Sequence, residues 1–382
     1  MQLRYGMNPQ QAASVCGLDA AGPMRLVHGD PSYINLLDAV NGWRLVRDAA
    51  AATGGPVAAS FKHVSPAGVA AAGPVDDTAR LTWGLSASVG PLTSAYVRAR
   101  DADPKSSFGD MIAVSQPVDA ELADLLRRVV ADGIVAPGFE PGTVAALAAK
   151  KNGRFLVLEA DPDYQPPALE RRDVGGLKLE QERDVAPIYA ELLTSAAGGA
   201  QPARVIHDGL LGLVTLRYTQ SNSVALVRDG VTLAIAAGQQ NRVDCVKLAA
   251  AKARTWWLRR HDQVRSLPVV PAMTRQDRLN WQVRMAEGDM TPGQRAEFGR
   301  LFPTALPALT GPARADWIGL LTGVTLASDG YLPFRDNIEH AGQIGVTHVV
   351  EPGGSSRSDE VAAACAEQGI TLIRTGLRLF QH

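Results

Sequence analysis

The sequence predicts an α/β fold, with one layered unit repeated twice along the chain. Three observations carry this reading. Between residues 34 and 158, stretches with helical spacing alternate with short runs of small and β-branched residues. A segment rich in proline and glycine, from Asp161 to Arg204, interrupts the pattern and reads as a connection. Beyond it, the opening order of elements returns.

Ile34 to Ala52 places Leu36, Leu37, Val40, Trp43, Leu45 and Val46 at helical spacing, and Gly54-Gly55-Pro56 stops the helix. Val57, Ala58 and Ala59 open a strand that the sequence ends at Pro66 to Gly68, leaving Lys62 and His63 near an exposed strand end. Asp110 to Ser115 reads as a strand, Ala120 to Ala131 as a helix, and Gly133 to Ala136 as a short strand. Pro141 to Lys150 follows as a helix and Arg154 to Leu158 as a strand. The connection holds Pro162, Pro166, Pro167, Pro187 and Pro202 with Gly175, Gly176, Gly198 and Gly199. The expected division is 1–165, a connecting segment 166–204, and 205–382.

In the second half an apolar helix is expected from Asp208, followed by the polar stretch Arg217 to Val224. Strands Val224 to Val227 and Val231 to Ala236 are joined at Asp229-Gly230. A helix spans Val243 to Arg254, a helical insertion covers about 259–321, and a last helix runs from Asp359 to Gln368. Two echoes suggest an internal duplication: the polar stretch after the helix resembles Ser60 to Gly68, and Ala131 to Pro137 resembles Ser328 to Pro333.

Composition narrows the function. The chain has 382 residues and 46% hydrophobic content, enough for more than one core. A formal net charge of -1 gives no global basic footprint, so no nucleic-acid partner is expected. Cys16, Cys245 and Cys365 form no CxxC pair, which argues against a disulfide framework or structural zinc. The start lacks a signal peptide and no run is long enough to cross a bilayer, so a cytoplasmic protein without a membrane partner is expected.

The stretch Ser60 to Gly68 carries the chemistry. Lysine brings a positive charge and histidine a proton acceptor near neutral pH. Alone, such a pair is most often a solvated edge. Seven other polar or glycine-rich segments lie between apolar runs: Met1 to Pro9, Ser106 to Asp110, Ala131 to Gly138, Arg217 to Val224, Ala237 to Arg242, Tyr331 to Asn337 and Leu377 to His382. In this order with SFKHVSPAG, they resemble the AICAR transformylase family from Leu3 to His382.

The resemblance implies two duplicated cytidine-deaminase-like three-layer domains in an intertwined homodimer with active sites at the subunit interface. It implies transfer of the formyl group of 10-formyltetrahydrofolate, a co-substrate, to the 5-amino group of AICAR, giving FAICAR. His63 matches the family's proton acceptor and Lys62 its transition-state stabiliser; Asn222 matches a residue that donates to the formyl oxygen or orients His63. For AICAR the matched positions are Arg4, Tyr5, Gly109, Asp132, Arg242, Tyr331 and Arg378, and for the folate Val243, Asp336, Ser355 and Ser356. Arg4 and Arg378 suit a phosphate, Asp132 suits ribose hydroxyls, and Asp336 suits an amino-pyrimidine edge.

The chain begins at the transformylase's own first motif and so looks free-standing, which would leave FAICAR to a separate IMP cyclohydrolase. The resemblance leaves a monovalent cation near Thr219 to Ser223 open. Zinc is not expected, because deaminases of this fold need H-x-E or C-x-E and P-C-x-x-C, whereas Val64 and Ser65 follow His63. Four positions depart from the family: Lys105 stands where methionine is common, Tyr331-Leu332 replace a Phe-Phe pair, and Gln381 replaces a histidine. A paralogue that formylates another aminoimidazole and a catalytically silent nucleotide-binding dimer are the alternative readings.

Overall fold

In the computed structural model, which describes residues 1–86, 88–196 and 200–382, the chain is an α/β protein organised on one large mixed sheet. Gly198 and Gly199 of the expected connection lie outside the described residues. The first half comprises β1 (Met24–His28), α1 (Tyr33–Thr53), β2 (Val57–Lys62), β3 (Ser65–Ala71), α2 (Asp77–Trp83) and α3 (Pro91–Ala102). It continues through β4 (Asp110–Val114), α4 (Ala120–Arg127), β5 (Ala131–Ala136), α5 (Thr143–Ala148) and β6 (Leu156–Ala160). An exposed hairpin, β7 (Leu169–Val174) and β8 (Leu177–Glu182), and α6 (Ala190–Ala196) lie within the connection.

The second half comprises α7 (Ala203–Arg217), β9 (Val224–Arg228), β10 (Val231–Ala236) and α8 (Arg242–Leu258). Then come α9 (Asp262–Arg265), α10 (Arg275–Glu287), α11 (Pro292–Leu301) and α12 (Gly311–Gly319), where the helical insertion was expected. The chain closes with β11 (Val324–Ser328), α13 (Arg335–Gly342), β12 (Val346–Glu351), α14 (Ser358–Glu367) and β13 (Thr371–Arg374).

The eleven strands of the main sheet run in the order β1-β6-β5-β4-β2-β3-β10-β9-β11-β12-β13. β2 is antiparallel to β3 and β4, and β4, β5 and β6 are mutually parallel. β9 is antiparallel to β10 and β11, and β11, β12 and β13 are mutually parallel. One pairing pattern therefore occurs twice. The halves join where Val231 of β10 faces Ala70 of β3. The Thr232 hydroxyl bonds both the N–H and the carbonyl of Val69, at 2.8 and 3.1 Å, and buried Arg98 donates to the Ala71 and Asp229 carbonyls across the same seam.

Helices cover both faces of the sheet. Trp43 and Val46 of α1 pack with Leu211 and Val214 of α7 on one face, while Tyr96 of α3 and Val246 of α8 belong to the core on the other. Strand alternation sorts β2 accordingly: Val57, Ala59 and Phe61 join the first cluster and Ala58 the second. α1 starts at a capping box between Ser32 and Asn35 and ends at Gly54, whose φ of 78° is favourable for glycine.

The expected end of the first strand is corrected. Its turn is His63-Val64, and Pro66 and Gly68 lie inside β3. Pro66 sits where the β2–β3 register shifts, a place where a missing donor is tolerated. Gly68 is required by close approach, because a Cβ there would fall 2.1 Å from the Ala99 carbonyl oxygen of α3. Gly68→Ala is expected to destabilise the fold by about 1–3 kcal/mol, measured as a shift in the urea midpoint. The helix expected over Ala120 to Ala131 ends at Arg127, and Ala131 already begins β5. The echo between Ala131 to Pro137 and Ser328 to Pro333 also fails in topology: the first opens β5, whereas Ser328 ends β11, the pairing counterpart of β4.

Candidate active site

Strand direction gathers the candidate residues. Because β2 is antiparallel to β4 and β9 to β11, the ends of β2, β11, β12 and β13 share one edge of the sheet with the starts of β4, β5 and β9. Lys62 ends β2; Gly109 precedes β4; Asp132 is the second residue of β5; Asn222 precedes β9. Tyr331 follows β11, Ser355 and Ser356 follow β12, and Arg378 follows β13. Arg4 and Tyr5 reach the same edge, since their backbones bond Pro31 and Tyr33 at the start of α1.

Lys62 pairs with Ser65, so His63 and Val64 form a two-residue loop, with φ of 54° and 62°. Loops of this kind favour Asn-Gly, and a β-branched residue at positive φ is uncommon. The support comes from α1, where the Asp38 carboxylate accepts the Val64 N–H at 2.6 Å. Asp38 is only 5% exposed. Burial pushes its carboxyl up to about 6, against the opposing effects of the Val64 N–H and the charge of His63, while Asp132 adds to the rise.

A raised folded-state value means that stability from this group is present below the ordinary carboxylate range near pH 4 and is lost as pH rises through about 6, to a total of about 3 kcal/mol. Asp38→Asn carries no such dependence. The stability of the variant relative to the natural protein is therefore expected to rise between pH 4 and 7.5, measured by denaturant midpoints at both values.

Lys62 is half-buried and donates from Nζ to the Phe108 carbonyl, whereas His63 is exposed. The loop carrying Phe108 is held by a buried ion pair, Arg100 to Asp110 at 2.6 Å, and by the Ser60 hydroxyl, which donates to Asp110 at 2.6 Å and accepts from the Ser107 hydroxyl at 2.8 Å. At Gly109, φ is 74° and an added Cβ would lie 3.8 Å from Asp132 Oδ1 and 4.0 Å from Lys62 Nζ. Lys62, Gly109 and Asp132 thus line one small space. Asp132 also accepts from Lys151 at 2.5 Å.

Beside this loop lies a cavity of about 880 Å³, lined among others by Trp83, Phe108, Arg128, Arg275 and Arg284. Lys105 is in its wall and pairs with Glu287 of α10 at 2.9 Å, so the departure noted at this position comes with a carboxylate partner.

Asn222 anchors a second group. Its Nδ2 donates to the Gln239 carbonyl at 2.8 Å and its Oδ1 accepts from Arg242 Nη2 at 2.7 Å. Arg242 also donates to the Ser223 carbonyl and to Asp329, a fully buried carboxylate that receives the Ser221 hydroxyl at 2.6 Å and the Ser223 N–H at 3.0 Å. Gly330 makes room for this network, since a Cβ there would lie 2.7 Å from both Arg242 Nη2 and the Phe380 ring. The C-terminal residues are laced to it through Leu379 N–H to the Asp329 carbonyl and paired bonds between Ser221 and Gln381. Arg378 is exposed over the Phe380 ring, and Tyr331 is exposed nearby in sequence.

The two groups touch only indirectly: the Gln220 N–H donates to the Ser65 hydroxyl at 3.4 Å, and no hydrogen bond between described residues joins Lys62 or His63 to Asn222. Val243 in the first turn of α8, Asp336 in the first turn of α13, and Ser355 and Ser356 before α14 are separate from Lys62 in the chain's hydrogen-bonding pattern. Among the described residues, no three His, Cys, Asp or Glu side chains gather as a metal site requires, and no helix is long and apolar enough to cross a membrane.

The arrangement pairs a lysine and a histidine with a carboxylate on one support. The sequence model of the AICARFT/IMPCHase bienzyme family matches residues 1–252. The chain belongs to the AICARFT/IMPCHase bienzyme family. It is 30% identical to a bifunctional purine biosynthesis protein PurH from Cereibacter sphaeroides, and 31% identical to those from Roseobacter denitrificans and Dinoroseobacter shibae. Each alignment spans 385 residues, all of this chain and 59% of the relative. The chain therefore spans well under two thirds of the length of these curated relatives.

Within the AICARFT/IMPCHase frame, the sequence reading passed over Asp38, Lys151, Glu287 and the role of Asp329. Asp38 left a signal: it shares the helical stripe of buried Asn35, Ala39, Gly42 and Val46, where an acidic residue has no reason to be without a polar task. Lys151 and Glu287 left none, since their partners Asp132 and Lys105 are distant in sequence.

Proposed function

We propose that the chain transfers the formyl group of 10-formyltetrahydrofolate to the 5-amino group of AICAR, giving FAICAR and tetrahydrofolate. The observation that carries the reading is the Lys62–His63 loop beside Gly109 and Asp132 in a chain of this family. His63 accepts the amine proton as nitrogen attacks the formyl carbon. Lys62 stabilises the negative charge on the formyl oxygen. The carbon–N10 bond then breaks, and N10 leaves with the proton released by the amine.

Among the described residues Asn222 Nδ2 donates one hydrogen bond, which keeps its second amide donor for a ligand. Arg242 similarly has five donors and, among the described residues, engages three of them, leaving two. Arg4 and Arg378, both exposed, serve the phosphate; Tyr5, Gly109, Asp132, Arg242 and Tyr331 serve the rest of the nucleotide. Val243, Asp336, Ser355 and Ser356 serve the folate.

The finer architecture in this reading is two cytidine-deaminase-like domains, 1–165 and 205–382, in a homodimer whose sites lie between subunits. The repeated pairing pattern supports the duplication. The separation of the Lys62 and Asn222 groups within one chain supports a site completed by a second copy, as do the exposed Phe108, Tyr331, Phe334 and Phe380.

The test is tetrahydrofolate release by the purified protein from 10-formyltetrahydrofolate and AICAR, coupled to a cyclohydrolase. AICAR-dependent turnover supports the reading; binding of AICAR without turnover overturns it in favour of a silent nucleotide-binding protein. Lys105→Met removes an exposed ion pair and is expected to change stability by less than about 1 kcal/mol. It is expected to alter KM for the folate and leave KM for AICAR in place, measured by steady-state kinetics.

A further inference from the structure

We propose that Asp38 is the positioning residue of the active-site loop: its carboxylate on α1 fixes the left-handed backbone at His63 and Val64 and so aims Lys62 and His63 from the sheet edge. The inference rests on the formyl-transfer reading for its kinetic test, and on geometry alone for its structural one.

A two-residue hairpin loop needs positive φ at both positions, which Asn and Gly supply at little steric cost. Here the residues are histidine and valine, at φ 54° and 62°. Neither holds that conformation by its own preference, and valine is disfavoured by its branched Cβ. The loop must be held from outside. The only side chain recorded in a hydrogen bond to either backbone among the described residues is that of Asp38, through the 2.6 Å bond to the Val64 N–H.

The geometry also explains why a carboxylate is tolerated at 5% exposure on the apolar side of a helix. An acidic group in that position is unfavourable by itself, and a leucine or alanine would extend the stripe of Ala39, Gly42 and Val46. What the carboxylate supplies is an acceptor reaching across the sheet edge to the residue immediately after the proposed base. Displacing that peptide would rotate the Cα–Cβ bond of His63 and shift the Lys62 Nζ away from the Phe108 carbonyl and the space it shares with Asp132.

The experiment combines two readouts. Asp38→Ala is expected to lower kcat by about 10²-fold through misplacement of the catalytic pair, with KM for AICAR nearly unchanged. Asp38→Asn, which keeps an acceptor oxygen, is expected to retain more turnover than the alanine variant. Adding Val64→Gly to Asp38→Ala supplies a residue at home in the left-handed region, and is expected to recover part of the lost kcat. Independently of activity, hydrogen exchange at the Val64 amide is expected to be slow in the natural protein and fast in Asp38→Ala at equal global stability.

Unchanged kcat and exchange in Asp38→Ala would overturn the inference, as would an asparagine variant no better than alanine or a Val64→Gly addition without recovery. If the natural protein lacks turnover while the Val64 amide responds as expected, the formyl-transfer reading fails and the role of Asp38 in holding the loop stands.

Discussion

His63→Ala is expected to lower turnover by about two to four orders of magnitude, the usual worth of a general base. The 5-amino group of AICAR shares its lone pair with the ring, so attack on the formyl carbon becomes productive only as its proton is removed. His63 is exposed on its loop and has no side-chain hydrogen bond recorded among the described residues, so its removal leaves no buried partner unsatisfied. The loss should therefore appear in kcat, with the calorimetric affinity for AICAR and the denaturant midpoint both close to those of the natural protein. Near-natural turnover in this variant would show that the base lies elsewhere.

Arg242→Met is expected to produce the largest loss of stability, about 3–5 kcal/mol, because it strands the fully buried carboxylate of Asp329 without its cation. The Ser221 hydroxyl and Ser223 N–H remain as donors but bring no charge. Asn222 Oδ1 also loses its partner, and the loop before β9 depends on that bond. The measurement is a urea titration of the single variant and of Arg242→Met combined with Asp329→Leu. The double variant is expected to recover stability, since replacing both ions removes the stranded charge. Equal midpoints for the natural protein and Arg242→Met would mean that this network contributes little and that Arg242 is free to serve ligand alone.

The parts of the fold that follow local rules were legible in the sequence. The helical spacing from Ile34 to Ala52, the Asp229-Gly230 hairpin and the helical insertion all appear where residue pattern places them. α3 was not legible, because every residue after Pro91 in it is buried and a helix enclosed on all sides shows no polar face. The turn was misplaced for the opposite reason: Pro66 and Gly68 are the strongest local punctuation in that stretch, yet tertiary contacts with α3 and the register shift put them in a strand.

The candidate site was half legible. Lys62 and His63 declare their chemistry by residue type, and strand direction brings the other motifs to the same edge. What holds them does not, because Asp38, Asp329 and Glu287 act on residues 26, 87 or 182 positions away along the chain. Local pattern carries no record of such pairings.

The sheet is continuous through β3 and β10, so the two halves share a single run of strands. Cutting the chain within the connection would leave each fragment with a bare row of unpaired backbone groups where its neighbour had been, the kind of surface along which chains aggregate. Arg98 would at the same time lose the Asp229 carbonyl it reaches in the other half. The halves thus shield one another from self-association, and a substitution that loosens the seam threatens solubility before it touches chemistry.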